Sequence, residues 1–335
     1  MIRRREFITL LGGMAATAWP LAARAQQVMK MPRIGLLSPG RSELPDPTRN
    51  MLNAFLQGLH ELGYTEGQNV IVEGQYAEGR PDRLPELATE LLRLKVDIIV
   101  AFSTTAARPV KQASDTIPIV AVGMADPVAD ELVASLARPG GNVTGTTFLG
   151  PDLVAKRLQL LREVVPGLSR VAALWHPHAY SERTMAGVLK EVEAAARTLG
   201  LQLQLVPADS PDDIAGAFTA MTRERAEALI VFPSPMLFSE YGRIVSMTAN
   251  SRLPAMGAAR EFVDVGGLMS YGVNLPGLAK QTATYVDKIL KGAKPAELPV
   301  EQPIKFELVI NLKTARELGL TISREFLLVA DDVVE

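Results

Sequence analysis

The sequence predicts an α/β protein of two lobes, each built on a parallel sheet with helices on both faces. Three observations carry that prediction. Strand and helix patterns alternate from Arg33 onward, which is the mark of parallel strands joined by crossovers. The alternation runs to GGNVTGTTF (Gly140 to Phe148) and then starts afresh, giving two series rather than one. Apolar strand patterns in both series end in small polar residues: Ser38, Ser103 to Thr105, Asp126, His176, Ser234, Glu261 and Ser270 with Tyr271.

The elements follow in order. RIGLLSPG is a strand ending at Ser38, and PTRNMLNAFLQGLHELGY is a helix whose apolar residues Met51, Leu52, Phe55, Leu59 and Leu62 recur at three and four. Asp46 is its candidate cap, Pro47 its first position and Gly63 its end. NVIVEGQYA is the next strand, and RPDRLPELATELLRLK the next helix, with Leu84, Leu87, Leu91 and Leu94 on one side. VDIIVAFSTTAARP reads as a buried β-branched strand that stops at three hydroxyls where a helix begins. PIVAVGM follows, with Ala125, Asp126 and Pro127 at its end and a helix expected through Leu136. The second series has a helix from Ala155 to Val165, RVAALWHP, a helix from Ser181 to Leu199 and LQLQLVPA. It continues with a helix from Pro211 to Arg225, ALIVFPSP, another helix, PAMGAAREF and GGLMSYG.

The N-terminus reads as an export signal. Residues 1–25 combine Arg3, Arg4 and Arg5, an apolar middle from Phe7 to Trp19, and Ala23 and Ala25 at a cleavage site. Arg4-Arg5-Glu6-Phe7 resembles a twin-arginine signal, and Sec export fits the same residues. Its four arginines and one glutamate carry +3, so cleavage takes the net charge from −2 to −5. Mild acidity without a basic block argues against nucleic acid. With no cysteine in the chain, neither a disulfide nor a lipid-bearing cysteine exists. The expected product is a monomer free in the periplasm, and about 310 residues imply two domains.

Three hydroxyls at a strand tip have two readings. Ser and Thr cap helices whatever a protein does, and helix N-terminal NH groups also bind anions. Ligands of open α/β sheets lie outside the carboxyl ends of the strands, and the recurrence of polar tips in both series favours a cleft. An enzyme lacks support: Leu268 stands at the first glycine position of a G-x-S-x-G reading around Ser270, and no Walker A sequence occurs. His176-Pro177-His178 has no third metal ligand at a standard spacing. No metal or cofactor is expected.

Several segments together resemble a known family. They are the ADPV turn at Ala125 to Val128, RPGGNVTGTTF, REFVDVGGLMSYG and above all LPVEQPIKFELVINLKTARELGLTI (Leu298 to Ile322). They resemble the TrpX-like substrate-binding proteins of ABC transporters, across essentially the whole chain after the signal. The resemblance implies a type I periplasmic binding protein fold of two Rossmann-like lobes joined by several crossovers. Lobe 1 would be residues 32–146 plus 273–302, and lobe 2 residues 147–272 plus 303–335. It further implies capture of a small solute, an amino acid or other small carboxylate, and delivery to an inner-membrane permease with a separate ATPase subunit. A periplasmic receptor feeding a sensor kinase would carry the same lobes, whereas an export signal in place of a DNA-binding headpiece argues against a transcription factor.

Within that frame Ser103, Thr104 and Thr105 are expected to hold a carboxylate, with Ser38 as a further donor and Ser234 and Ser270 as polar tips of the second lobe. Asp126 is either an acceptor for an ammonium group or a cap ahead of Pro127. Glu261 is either a contact from the second lobe or one half of a surface pair with Arg260. Tyr271 places its ring at the cleft or in interdomain packing, and Trp175 stacks on a ligand or joins the core. Hydroxyls beside Tyr271, Phe148 and Trp175 favour an aromatic or branched carboxylate, and an aromatic content of 5% argues against a sugar.

Overall fold

A computed structural model describes residues 31–42, 47–150 and 153–335. The expected export segment 1–25 and the candidate cap Asp46 lie outside them. The first series gives β1 (Arg33–Ser38), α1 (Pro47–Glu61), β2 (Ile71–Tyr76), α2 (Leu84–Arg93), β3 (Ile98–Phe102), α3 (Thr104–Ala113), β4 (Ile119–Met124) and β5 (Val143–Thr147). The second gives α4 (Val154–Val164), β6 (Arg170–Trp175), α5 (Glu182–Thr198), β7 (Gln202–Pro207), α6 (Asp213–Arg223) and β8 (Ala228–Val231). It goes on through α7 (Pro235–Ser239), α8 (Tyr241–Asn250), β9 (Ala255–Gly257), α9 (Glu261–Asp264) and β10 (Met269–Gly272). The chain then forms α10 (Leu275–Leu290), β11 (Glu307–Asn311), α11 (Leu312–Glu317), α12 (Arg324–Leu327) and β12 (Asp332–Val334).

These strands form two sheets. The first is all parallel, in the order β2-β1-β3-β4-β5. The second has the order β12-β11-β10-β9-β8-β6-β7 and is parallel apart from the β10–β11 pair. Most buried strands are apolar on both faces, as β3 shows with every residue from Ile98 to Phe102 buried, whereas β5 also buries Thr144, Thr146 and Thr147. Helices α2 and α3 cover one face of the first sheet around Leu84, Leu91 and Val110. On its other face α10 lies along α1. Leu158, Val192 and Phe326 pack against the outer face of the second sheet. A third core spans both lobes, joining Phe55, Phe102 and Val122 to Leu174, Val231, Tyr241 and Phe262.

The chain crosses between the sheets after β5, after β10 and before β11. Arg157 of α4 ties two of these crossings. Its guanidinium is 1% exposed and donates from Nε to the Tyr271 carbonyl at 2.7 Å and from Nη1 to the Gly150 carbonyl at 2.8 Å. Burial pulls its pKa down to about 10.

Two sequence expectations fail locally. The helix expected through Leu136 is a series of turns, because only Asp130, Glu131, Leu132 and Val133 close back on Asp126 to Val128 and Glu131 takes a left-handed φ of 57°. PAMGAAREF does not run as a strand to Glu261. The strand stops at Gly257, and Glu261 opens the short helix α9. At the crossing after β10, a Cβ on Gly272 would fall 1.9 Å from the Ala258 carbonyl oxygen. Gly272→Ala is therefore expected to destabilise the fold by at least about 2 kcal/mol, read as a lower urea midpoint.

Candidate functional site

The sheet orders decide where a ligand can sit. In the first sheet the connections run outward to β2 and then return to β3, so β1 and β3 flank a reversal point. In the second sheet β6 and β8 do the same. A crevice opens at the carboxyl ends of such strand pairs. The two crevices face one another. Pro39 after β1, Ser103 and Thr104 after β3, Ala179 and Tyr180 after β6, and Ser234 and Pro235 after β8 all line one cavity. The cavity volume is about 50 Å³. Met51, Phe102, Val122, Phe148, Phe238 and Leu275 form most of its wall.

Its polar groups are few and placed by the helix starts. Ser103 is the residue before α3 and has φ 102°, a conformation L-residues rarely adopt. Its Oγ lies 2.7 Å from Thr105 Oγ1, and its side chain makes no capping bond. Thr104 Oγ1 accepts from the Ala125 NH at 3.0 Å. Ser234 caps α7, accepting from the Leu237 NH at 3.1 Å. Tyr180 donates its hydroxyl proton to the Pro233 carbonyl. The first NH groups of α3 have no partner within the helix and point out of its end. Gly123 lets the wall come close, with φ 67° at the register shift between β4 and β5 and its NH on Thr146 Oγ1 at 3.1 Å.

Of the residues expected from sequence, Ser103, Thr104 and Ser234 line the cavity, and Thr105 reaches it through Ser103. Ser38 lies one residue outside it, its Oγ taken by the Gly40 NH. Asp126 is not brought there. It accepts from Val128 and Ala129 NH at 3.2 and 2.9 Å, the capping alternative, and lines a separate groove with Arg183 and Glu191. Trp175 packs into the second lobe's core, against residues that include Tyr180 and Met185. Ser270 is a buried residue inside β10, and Tyr271 stacks beside Phe306 at 6.1 Å between ring centroids. Glu261 is buried in α9 rather than paired at the surface, while Arg260 binds Asp332 and Asp264. His176 is buried, and burial pulls its pKa down to about 4.

The family model described as ABC transporter substrate binding protein matches residues 46–334. The chain belongs to that family. A tyrosine-binding protein of Clostridioides difficile (strain R20291) is 25% identical over 268 residues, which cover 79% of this chain and 75% of that protein. The solved structure of an ABC domain in complex with L-Trp from Streptococcus pneumonia is 29% identical, with a TM-score of 0.82 over 90% of this chain and 99% of that one. A conserved domain protein from Vibrio cholerae is 27% identical, with a TM-score of 0.83 over 91% of this chain and 100% of that one. The architecture is that of the type I periplasmic binding proteins. The family and the tyrosine-binding and L-Trp-bound relatives are named for binding a solute rather than for an enzymatic activity.

Sequence reasoning missed the groups that close this substrate-binding protein around its cavity. Asp130, in the turns after β4, has a fully buried carboxylate whose Oδ1 accepts from the Ser181 NH at 3.2 Å and Thr184 Oγ1 at 2.9 Å. A first-lobe acid thus caps α5 of the second lobe. Arg108 Nη2 stands 3.6 Å from the same oxygen. Elsewhere between the lobes Arg41 Nη2 meets Glu240 Oε1 at 3.0 Å. Neither contact has a sequence signal, because the partners lie 51 and 199 residues apart. Tyr180 and Phe238 were also missed. Gly123 had one, a glycine inside an apolar strand run.

Burial pushes the Glu261 carboxyl up to about 7, above its ordinary 4.5. The folded protein therefore keeps a proton that the unfolded chain releases, and stability falls as pH rises between about 4.5 and 7. Glu261→Gln is expected to raise the melting temperature at pH 8, relieving up to about 3 kcal/mol, and to leave it unchanged at pH 4.

Proposed function

We propose that this protein captures a small carboxylate with an aromatic or branched apolar body between its lobes and delivers it to an ABC permease served by a separate ATPase subunit. The observation that carries this reading is the meeting of two sheet reversal points over one apolar cavity, with hydroxyls and the start of α3 at its polar end. Lobe 1 comprises residues 32–146 and 273–302, and lobe 2 residues 147–272 and 303–335. The tyrosine-binding protein and the L-Trp complex support the ligand class, since both names specify an aromatic amino acid. Residues 1–25 direct export to the periplasm, where the protein acts as a monomer.

Capture needs no covalent chemistry. The ligand carboxylate accepts hydrogen bonds from Ser103 and from the NH groups that open α3, and its apolar body replaces water against Phe102, Phe148 and Phe238. Contacts to both lobes then favour the closed form, and the closed form presents the surface that docks on the permease.

A thermal-shift panel on the refolded chain tests the reading. Aromatic or branched carboxylates at a hundred times their dissociation constant should stabilise it by roughly 2.7 kcal/mol, and sugars should not. In calorimetry Ser103→Ala is expected to weaken the responding ligand about tenfold or more, the loss of one hydrogen bond to a charged group. Unchanged affinity would remove Ser103 from the site. Asp130→Ala should weaken the same ligand about tenfold by lowering the closed population, and should raise the radius of gyration of the ligand-free protein in X-ray scattering.

A further inference from the structure

Arg108 and Asp130 belong to one body. Arg108 lies in α3 and Asp130 in the turns after β4, and Val110 of α3 shares the core of the first lobe with Leu132 and Val133. The Asp130 NH donates to the Asp126 carbonyl at 2.9 Å and the Leu132 NH to the Pro127 carbonyl at 2.9 Å, so the turn is fixed to the same lobe. Ser181 and Thr184 belong to the other lobe. When the lobes part these two donors leave Asp130, and Arg108 stays beside it.

The contact between the acid and the base is unfinished. Asp130 Oδ1 accepts from the Ser181 NH at 3.2 Å and the Thr184 hydroxyl at 2.9 Å, while Arg108 Nη2 stands 3.6 Å away, beyond hydrogen-bond reach. Nη2 is buried without a hydrogen-bond partner, and so is Asp130 Oδ2. A guanidinium donor and a carboxylate acceptor are thus both unsatisfied within one ion pair, and each costs free energy while it stays so. Closing the 3.6 Å gap to a charge-assisted hydrogen bond of about 2.8 Å is within the range of a rotating carboxylate. What prevents it is the hold of α5 on Oδ1.

We propose that Asp130 is an exchange latch: α5 holds its carboxylate when the lobes are closed, and Arg108 takes it when they open. Arg108 is then a positioning residue that stabilises the open form and opposes capture. The proposal rests on the closure reading above and assigns a residue that sets its equilibrium. Because α5 offers two donors and the positive end of a helix, against one guanidinium nitrogen, the closed arm is the stronger. Loss of Asp130 therefore favours opening, whereas loss of Arg108 favours closure, although the two form one ion pair.

X-ray scattering on the ligand-free chain reads this equilibrium without any ligand. Arg108→Met is expected to lower the radius of gyration, and Arg108→Gln, two bonds shorter than arginine, gives a second reading should the first variant fail to fold. In an Asp130→Ala background the same substitution should leave the radius unchanged, since its effect runs through Asp130. Calorimetry with L-tyrosine and L-tryptophan then reads capture, and Arg108→Met is expected to tighten whichever binds at least about threefold. A radius unchanged or raised by the Arg108 substitutions, or weaker binding, would overturn the proposal and make Arg108 a support of the closed contact. Equal compaction in the Asp130→Ala background would overturn it too, because Arg108 would be acting without Asp130. If neither amino acid binds and the radius still falls as expected, the latch holds and the failure belongs to the ligand class alone.

Discussion

The buried strands β1, β3 and β8 carry apolar side chains on both faces and turn polar where they end, and that constraint organises the site. In β3 the residues from Ile98 to Phe102 are all buried, and polarity begins abruptly at Ser103. The same happens after β1, β6 and β8, whose ends flank the two reversal points. Because the sheets face each other across the shared core, these ends meet and the donors of both lobes are collected in one place. The left-handed backbone of Ser103 is the local strain in that arrangement, and it turns the chain from strand into helix beside the cavity.

Closure has its own chemistry, separate from ligand recognition. Asp130 and Glu240 join the lobes through charge-assisted hydrogen bonds, and neither acid touches the cavity. The Asp130 contact is incomplete: Oδ2 and Arg108 Nη2 are both buried without a hydrogen-bond partner. Near the crossings, Arg157 joins the Gly150 carbonyl after β5 to the Tyr271 carbonyl at the end of β10.

Charge is distributed to match. Glu261 and His176 are buried and held toward their neutral forms, whereas Asp130 and Glu240 stand beside cations. Among the described residues the cavity wall is mostly apolar, and its polar side chains are the hydroxyls of Ser103, Thr104, Tyr180 and Ser234.

The sequence by itself determined the α/β class, the two series of strands and helices, most element boundaries and the resemblance to substrate-binding proteins of ABC transporters. Period and chain order are enough for these, because a strand or helix advertises its buried side in residues a few positions apart. The VDIIVAFSTTAARP stretch therefore pointed to hydroxyls at a strand tip, and the structure sets Ser103 and Thr104 at the cavity. Only the tertiary structure decided which polar tips share a site. Asp126 and Glu261 read like Ser103 in one dimension, yet one caps a turn and the other is buried in a short helix. The contacts of Asp130 with α5 and of Arg41 with Glu240 join residues far apart in the chain. Such pairings depend on the relative placement of two lobes, a long-range packing outcome that leaves no periodic trace in either segment.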